Sequence, residues 1–442
     1  MPIPSNRPSW IPGLSRRAAS VALTLGFMLI PAVLAGGSAQ ARTYSESVLY
    51  SFSVLPDGNY PSASVLLDKQ GNVFGTTLFG GANCQTGQGC GTVFKVDPGG
   101  HEVVLYNFCS VSGCNDGMLP GPNYPGAGLV RDGKGNLYST TPGGGGHGDG
   151  TVFMLDAGGN ETVLYSFCAE SACADGNEPL AGLVRDADGN LYGTTWQGGY
   201  QTYCCGTVFK LSQPAKKRKP WKETVLYRFC LGGSPCNDGS SPFAGLVMDE
   251  SGNLYGTTAG GGLGNAGTVF KLSRSGNESV LYSFCVAGNP CGDGWQPQSG
   301  LVIDTMGNLY GTTVGGGTGN GGTVFKLDPG GHETVLHAFI GGSDGVLPDG
   351  DLTIDKSGNL FGTTYYGGLG GGTVYKVDTK GRETVLYSFC SKGYPCIDGA
   401  LPYAGLAVDK SDNLYGTTFY GGTGTCSISG GVGCGVVFKL TH

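Results

Sequence analysis

Residues 161–211 read ETVLYSFCAESACADGNEPLAGLVRDADGNLYGTTWQGGYQTYCCGTVFKL. Four short runs stand in this stretch: ETVLYSF, AGLV, NLYGTT and GTVFKL. They are rich in Val, Leu, Tyr, Phe and Thr and are bounded by Gly, Asn and Asp, which is how strands and turns alternate in a sequence. No segment of helical length shows a 3.6-residue pattern. Between AGLV and NLYGTT, Asp186 can cap a turn with its side chain while Gly189 supplies a positive φ. The unit recurs. Its VLYSF-like run begins at residues 48, 104, 163, 225, 280, 335 and 385. NLYGTT returns at 190–195, 253–258, 308–313 and 413–418, and GTVFK at 91–95, 206–210, 267–271 and 322–326.

Seven copies of a four-strand unit predict an all-β fold: a seven-bladed β-propeller with four antiparallel strands per blade, as one domain over residues 42–442. AGLV is expected innermost, then NLYGTT, then GTVFK, with VLYSF outermost. The chain begins its repeats with a lone VLYSF at 48–52, and its last copy lacks one. The first strand is therefore expected to complete the last blade and close the ring, whereas an open solenoid would need polar capping repeats. This explains a load of 85 Gly in 442 residues that would otherwise suggest disorder. With 39% hydrophobic, 10% aromatic and 13% charged residues the chain is not of disordered type. Glycines inside NLYGTT are expected to let neighbouring backbones approach.

Residues 1–41 read as a signal peptide. Arg7, Arg16 and Arg17 precede an apolar stretch, and Ala39-Gln40-Ala41 fits a cleavage site. Their removal takes three positive charges from a net −7, leaving −10. No later stretch is long and apolar enough to span a bilayer. A strongly basic nucleic-acid binder is excluded by this charge, so no nucleic acid is expected as partner. The 16 cysteines all follow residue 41 and fall in local pairs: Cys84/Cys90, Cys109/Cys114, Cys168/Cys173, Cys204/Cys205, Cys230/Cys236, Cys285/Cys291, Cys390/Cys396 and Cys426/Cys434. In an exported chain these spacings read as disulfides. The adjacent Cys204-Cys205 pair leaves three options open: a vicinal bridge, two free thiols, or a bridge to another residue.

The unit VLYSF…DG…P…AGLV.D..GNLYGTT…GG…GTVFKL resembles the GloVer tandem repeat of bacterial surface proteins. The resemblance covers about nine-tenths of the chain. It implies export and a propeller-like array, and brings no activity with it. Members often carry a C-terminal sorting anchor. Here the chain stops at Thr441-His442, so release or periplasmic residence is expected.

The long loops and the cysteine pairs belong to one face of such a propeller, and loops on a rigid scaffold are where binding resides. Every copy carries an Asp-Gly in that face: Asp57, Asp116, Asp175, Asp238, Asp293, Asp344 and Asp398. These are candidates for a carboxylate ring at the channel mouth, or alternatively for Asx-type turns. The sixth copy lacks the loop cysteines and reads DGVLPDGDLTID, which places Asp344, Asp349 and Asp351 close in sequence as a candidate Ca²⁺ site without an EF-hand frame. No other cofactor is expected. Aromatics gather in loops of the same face: Phe79, Trp196, Tyr200, Tyr203, Tyr365, Tyr366, Phe419 and Tyr420, with Trp295 adjoining. Of these Trp196, Trp295, Tyr200 and Tyr365 are singled out as ligand-binding candidates, since flat rings near Asp and Gly suit sugar faces. His147 and Asp149 form an acid–base pattern with no nucleophile motif beside it, so no catalytic residue is assigned. No Gly-Lys-Ser/Thr follows the glycine strings, which excludes a P-loop. The basic insert PAKKRKPWK at 214–222 reads as a solvated loop tip. The expectation is a secreted, monomeric binding module for polysaccharide or a cell-envelope ligand. An extracellular polysaccharide-acting enzyme and a purely structural envelope protein are the alternatives.

Overall fold

The computed structural model describes residues 44–53, 56–82, 89–119, 128–199, 205–214, 216, 219–288, 290–428 and 431–442. The signal segment expected at 1–41, Cys84, Tyr200, Tyr203 and Cys204 lie outside the described residues. Seven antiparallel sheets of four strands form the seven blades of a propeller. In the third blade the inner strand Val184–Arg185 pairs with Leu191–Thr195, then Thr207–Ser212, then the outer strand Lys222–Arg228. The other blades repeat this order of AGLV, NLYGTT, GTVFK and VLYSF runs. The last blade takes its outer strand, Ser45–Ser51, from the start of the chain. That strand pairs antiparallel with Val436–Thr441, from Ser45 opposite Thr441 to Ser51 opposite Val436. The ring thus closes as the offset of the copies requires. One short extra strand, Gly58–Pro61, lies on the end of Val73–Gly80 in the first blade.

The same few residues hold each junction between blades. The Phe that ends each outer strand is buried edge-on against the third-strand aromatic of the next blade. Phe167 meets Phe209 at 5.0 Å, Phe229 meets Phe270 at 5.0 Å, and Phe339 meets Tyr375 at 5.0 Å. All seven junctions repeat this contact, the first and last through Phe52–Phe94 and Phe389–Phe438. Such pairs add about 0.5–1.5 kcal/mol each beyond the area they bury. The outer strands each carry one unpaired residue, such as Leu226 between Val225 and Tyr227, and bulges of this kind increase local twist.

The glycine of NLYGTT has a different role from the one expected. It does not bring two backbones together. A Cβ on Gly193 would stand 2.7 Å from Cζ of Phe209, so the missing side chain makes room for the buried ring of the adjacent strand. Gly256 and Phe270, and Gly311 and Phe325, repeat the arrangement. No helix among the described residues is long and apolar enough to cross a membrane.

Candidate ligand-binding site

The cysteines staple the loops that leave the outer strands. Bridges join Cys109–Cys114, Cys168–Cys173, Cys230–Cys236, Cys285–Cys291 and Cys390–Cys396, and Cys426–Cys434 closes a loop of the last blade. Cys90 and Cys205 are disulfide-bonded as well, so Cys205 is not a free thiol. No described cysteine is free.

Beneath these loops sit the seven Asp-Gly carboxylates. Each accepts a hydrogen bond from the aromatic residue of the outer strand before it. The donors are Tyr50 to Asp57, Tyr106 to Asp116, Tyr165 to Asp175, Tyr227 to Asp238, Tyr282 to Asp293 and Tyr387 to Asp398, at 2.7–2.9 Å. In the remaining junction Nε2 of His337 stands 2.9 Å from Asp344. Each Asp also accepts a backbone N–H at the start of its loop, as Ala169 N–H donates to Asp175 at 3.0 Å. These groups hold their own loops and do not present a ring of free carboxylates at the channel mouth. They satisfy loop amides four to eight residues upstream and so make a longer-range tie than an Asx-type turn. A glutamate of the following blade adjoins each one. Burial first, and then the neighbouring Asp, push the carboxyls of Glu102, Glu161, Glu278, Glu333 and Glu383 up to about 7, and that of Glu223 up to about 8.

The axial channel is built from the inner strands. Equivalent positions of the seven blades are Ser64, Gly128, Gly182, Gly245, Gly300, Asp351 and Gly405, five of them glycine. A Cβ on Gly182 would stand 3.1 Å from the carbonyl of Gly128, and one on Gly405 2.8 Å from the Ser64 hydroxyl. The ring is therefore tight and its wall is backbone. Asp351 is exposed and lies across it. Gly300 N–H donates to its Oδ1 at 2.6 Å, and the Ser64 hydroxyl donates to its Oδ2 at 3.1 Å. Gly405 N–H in turn donates to the Ser64 oxygen at 3.1 Å. A cavity of about 260 Å³ occupies this axis, with Phe243, Gln298 and Asp351 among its lining.

Asp344, Asp349 and Asp351 are not gathered into one ligand set, since no group of metal-binding side chains within 4.8 Å of one another contains all three. Asp344 holds its loop and Asp351 faces the channel. Asp349 is 7% exposed, its Oδ1 accepts no hydrogen bond, and burial pushes its carboxyl up to about 7. It occupies the place in the sixth blade that Phe243 and Gln298 hold at the cavity in theirs.

A run of aromatic rings lies in the loops of the sixth, seventh and first blades, around the buried Tyr60. Tyr365 packs on Tyr403 at 5.0 Å, Tyr403 on Phe419 at 6.3 Å, and Phe419 on Tyr60 at 5.1 Å. Tyr366, Tyr420 and Phe79 extend this series, which spans the sixth, seventh and first blades. Tyr366 is the most open of them at 45% exposure. Trp196 lies elsewhere on the ring, half-buried against Phe243 at 5.2 Å. Trp295 is half-buried too: its ring lies on Gly315, and its Nε1–H donates to Asn320 at 3.4 Å. His147 is exposed on its turn, while the half-buried Asp149 accepts the Glu178 N–H at its backbone carbonyl.

Sequence reasoning missed Ser64, Tyr60, Tyr403 and Phe243. The signal was there for the first: Ser64 and Asp351 are the two departures from Gly when the AGLV runs are superposed. A second, larger cavity of about 610 Å³ lies between the third and fourth blades, on the tight-turn face. Its carboxylates Asp186 and Asp249 are tied to their own turns by Asn190 and Asn253.

Repeat, staples and ring closure define a disulfide-bearing seven-bladed propeller of tandem-repeat type. The chain belongs to the Gloeobacter/Verrucomicrobia repeat family, whose pattern matches residues 119–291 and 286–442. The resemblance read from the sequence is the family found. No curated protein matches the chain in sequence. Among solved structures it is similar to a catalytically inactive virginiamycin B lyase from Staphylococcus aureus with quinupristin. That match has 12% identity and a TM-score of 0.54, covering 90% of this chain and 99% of the lyase. It is also similar to the extracellular domain of a one component system from B. thetaiotaomicron, at 11% identity and a TM-score of 0.54. There the match covers 90% of this chain but 40% of the other. At such identities the likeness concerns the fold.

Proposed function

We propose that the protein is an exported, non-catalytic binding module that holds a carbohydrate ligand at the stapled-face mouth of its axial channel. The observation that carries this reading is the run of aromatic rings in the loops of the sixth and seventh blades, the half-buried Tyr365, Tyr403 and Phe419 with the exposed Tyr366 at its end. Aromatic faces take the apolar face of a sugar. The Asp351 carboxylate and the bare glycine backbone offer partners for its hydroxyls. Export rests on the segment 1–41 and on bridges that persist in oxidising compartments. The test is binding of the purified chain to an array of soluble bacterial and plant polysaccharides. Binding that weakens in Tyr366→Ala, Tyr403→Ala and Asp351→Asn supports the reading. Binding to none, or binding unchanged in all three and in Trp196→Ala, overturns it.

One observation favours a second reading, that of a polysaccharide-acting enzyme. Asp349 is a buried carboxyl without a partner at Oδ1, two residues from Asp351, and its raised pKa suits a general acid near neutral pH. Turnover of a bound polysaccharide that disappears in Asp349→Asn while binding persists would establish it. Absence of any product from every bound polysaccharide rejects it.

A further inference from the structure

We propose that His337, Asp344 and Glu383 form a site for one divalent transition-metal cation of the zinc type, which cross-links a blade junction that has no disulfide. His337 lies in the outer strand Glu333–Ala338 of the fifth blade, and Asp344 in the loop that enters the sixth. Glu383 begins the outer strand Glu383–Ser388 of the sixth blade. A metal held by all three would join two blades and the loop between them.

Three observations support the site. First, one ligand atom from each residue lies within 4.8 Å of the other two, and His337 Nε2 is already 2.9 Å from Asp344 Oδ1. Zinc bonds to N and O of about 2.0–2.1 Å in a tetrahedron set donors roughly 3.3 Å apart, so small rotations complete the set. Second, Oε1 of Glu383 is buried and accepts no hydrogen bond, as is true of the equivalent glutamate at each of the other six junctions, so an unused acceptor stands here beside an imidazole and not a phenol. Third, the chemistry differs from the other six junctions. There a tyrosine hydroxyl takes the place of His337 and donates its proton to the Asp. Burial, then the neighbouring Asp in most of them, hold these phenols well above their usual pKa, so they keep that proton and are poor ligands. A neutral imidazole offers its lone pair at neutral pH.

The place of the site in the ring agrees. Two of the seven loops lack the cysteine pair, residues 53–57 and 340–344. The first follows Phe52, which shares a buried cluster with Cys426 and Cys434. The second follows Phe339, whose cluster contains no cysteine. Its described ties are hydrogen bonds, among them Ile340 N–H to Asp344 Oδ2 at 2.7 Å. A cation there would supply the missing cross-link. It would also place positive charge between two adjacent carboxyl groups, Asp344 and Glu383. The other two groups of potential ligands, Cys90/Cys109/Cys114 and Asp149/Cys168/Cys173, consist largely of disulfide sulfurs and offer no such set.

The experiment is calorimetric titration of the chelator-stripped protein with Zn²⁺ alone, joined to thermal melts with and without zinc. The expected result is one zinc per chain and a melting point raised by zinc. His337→Tyr restores the residue of the other six junctions and so keeps the fold. It should weaken zinc binding more than roughly 10-fold, since loss of even a residue that only orients a ligand costs about 10–100-fold, and abolish the thermal shift, while leaving the zinc-free melt near that of the wild type. Glu383→Gln gives an independent check should the first variant fold poorly. No binding at micromolar zinc overturns the proposal. Binding that is unchanged in both variants also overturns it, by assigning zinc to exposed pairs such as His101–Asp97 or His332–Asp328.

Discussion

Tyr165 donates its hydroxyl hydrogen to Oδ2 of Asp175 at 2.7 Å, and Asp175 is fully buried. The bond joins the outer strand of one blade to the loop that starts the next. Tyr165→Phe keeps the ring and its edge contact with Phe167 but leaves the carboxylate with backbone donors alone. The expected loss is about 1.5–3 kcal/mol, the range for a hydrogen bond to a charged group. Urea denaturation of the two proteins measures it, and a loss below the error of the method would count against the role given to this pair.

The stability of the ring should be greatest in mildly acidic solution. The glutamates beside these aspartates have folded pKa values near 7 or above, as for Glu161, against an ordinary 4.5. The folded state then binds protons more tightly than the unfolded one. Their favourable contribution is complete below about 4.5 and is lost as pH rises through 7. The turn aspartates work in the opposite sense. Burial opposes it, but bonds from their own Asn and backbone amides hold Asp68, Asp132, Asp186, Asp249, Asp304 and Asp409 below 3.8. Stability from these is lost as pH falls below that value. Melting temperature is therefore expected to peak between these limits and to decline by pH 8. Glu161→Gln should raise the melting point at pH 8 and leave it little changed at pH 5.

Each short bridge should matter modestly. Cys168 and Cys173 are five residues apart, and loop entropy for so small a ring gives about 2 kcal/mol. Chemical denaturation of the double variant Cys168→Ser/Cys173→Ser checks the figure. A much larger loss would mean that the bridge organises more than its own loop.

Ring closure should be indispensable. Deleting the chain through Phe52 removes the strand Ser45–Ser51 and bares Val436–Thr441 as an unpaired edge. The truncated chain is expected to lose its cooperative melt and to aggregate through that edge. A peptide of residues 43–53 added in trans should restore part of the melt. A truncated chain that remained monomeric with an unchanged melt would show that three strands suffice for the last blade.

The architecture could be read from the sequence because the seven copies share one pattern. Strand order, ring closure and the bridges Cys109–Cys114, Cys168–Cys173, Cys230–Cys236, Cys285–Cys291, Cys390–Cys396 and Cys426–Cys434 followed from period and spacing. What could not be read depended on which copies meet in space. Tyr165 and Asp175 stand ten positions apart in sequence, and their partnership joins two motifs that looked separate. The glycine of NLYGTT answers to a ring on the adjacent strand, a matter of volume that no turn signal announces. At the channel, Asp351 stood out in sequence beside Asp344 and Asp349, yet those three carboxyls meet different neighbours. Its companion Ser64 comes from the far end of the chain.

The pairing of Ser45 with Thr441 spans 396 residues. The residues between them must be made before the strand Ser45–Ser51 can find its place. At ordinary rates of synthesis that delay is roughly 20–80 s. Throughout it the leading strand has no partner and the ring no seam. During biogenesis the molecule is thus a growing open arc, which becomes a closed ring only once Val436–Thr441 has been made.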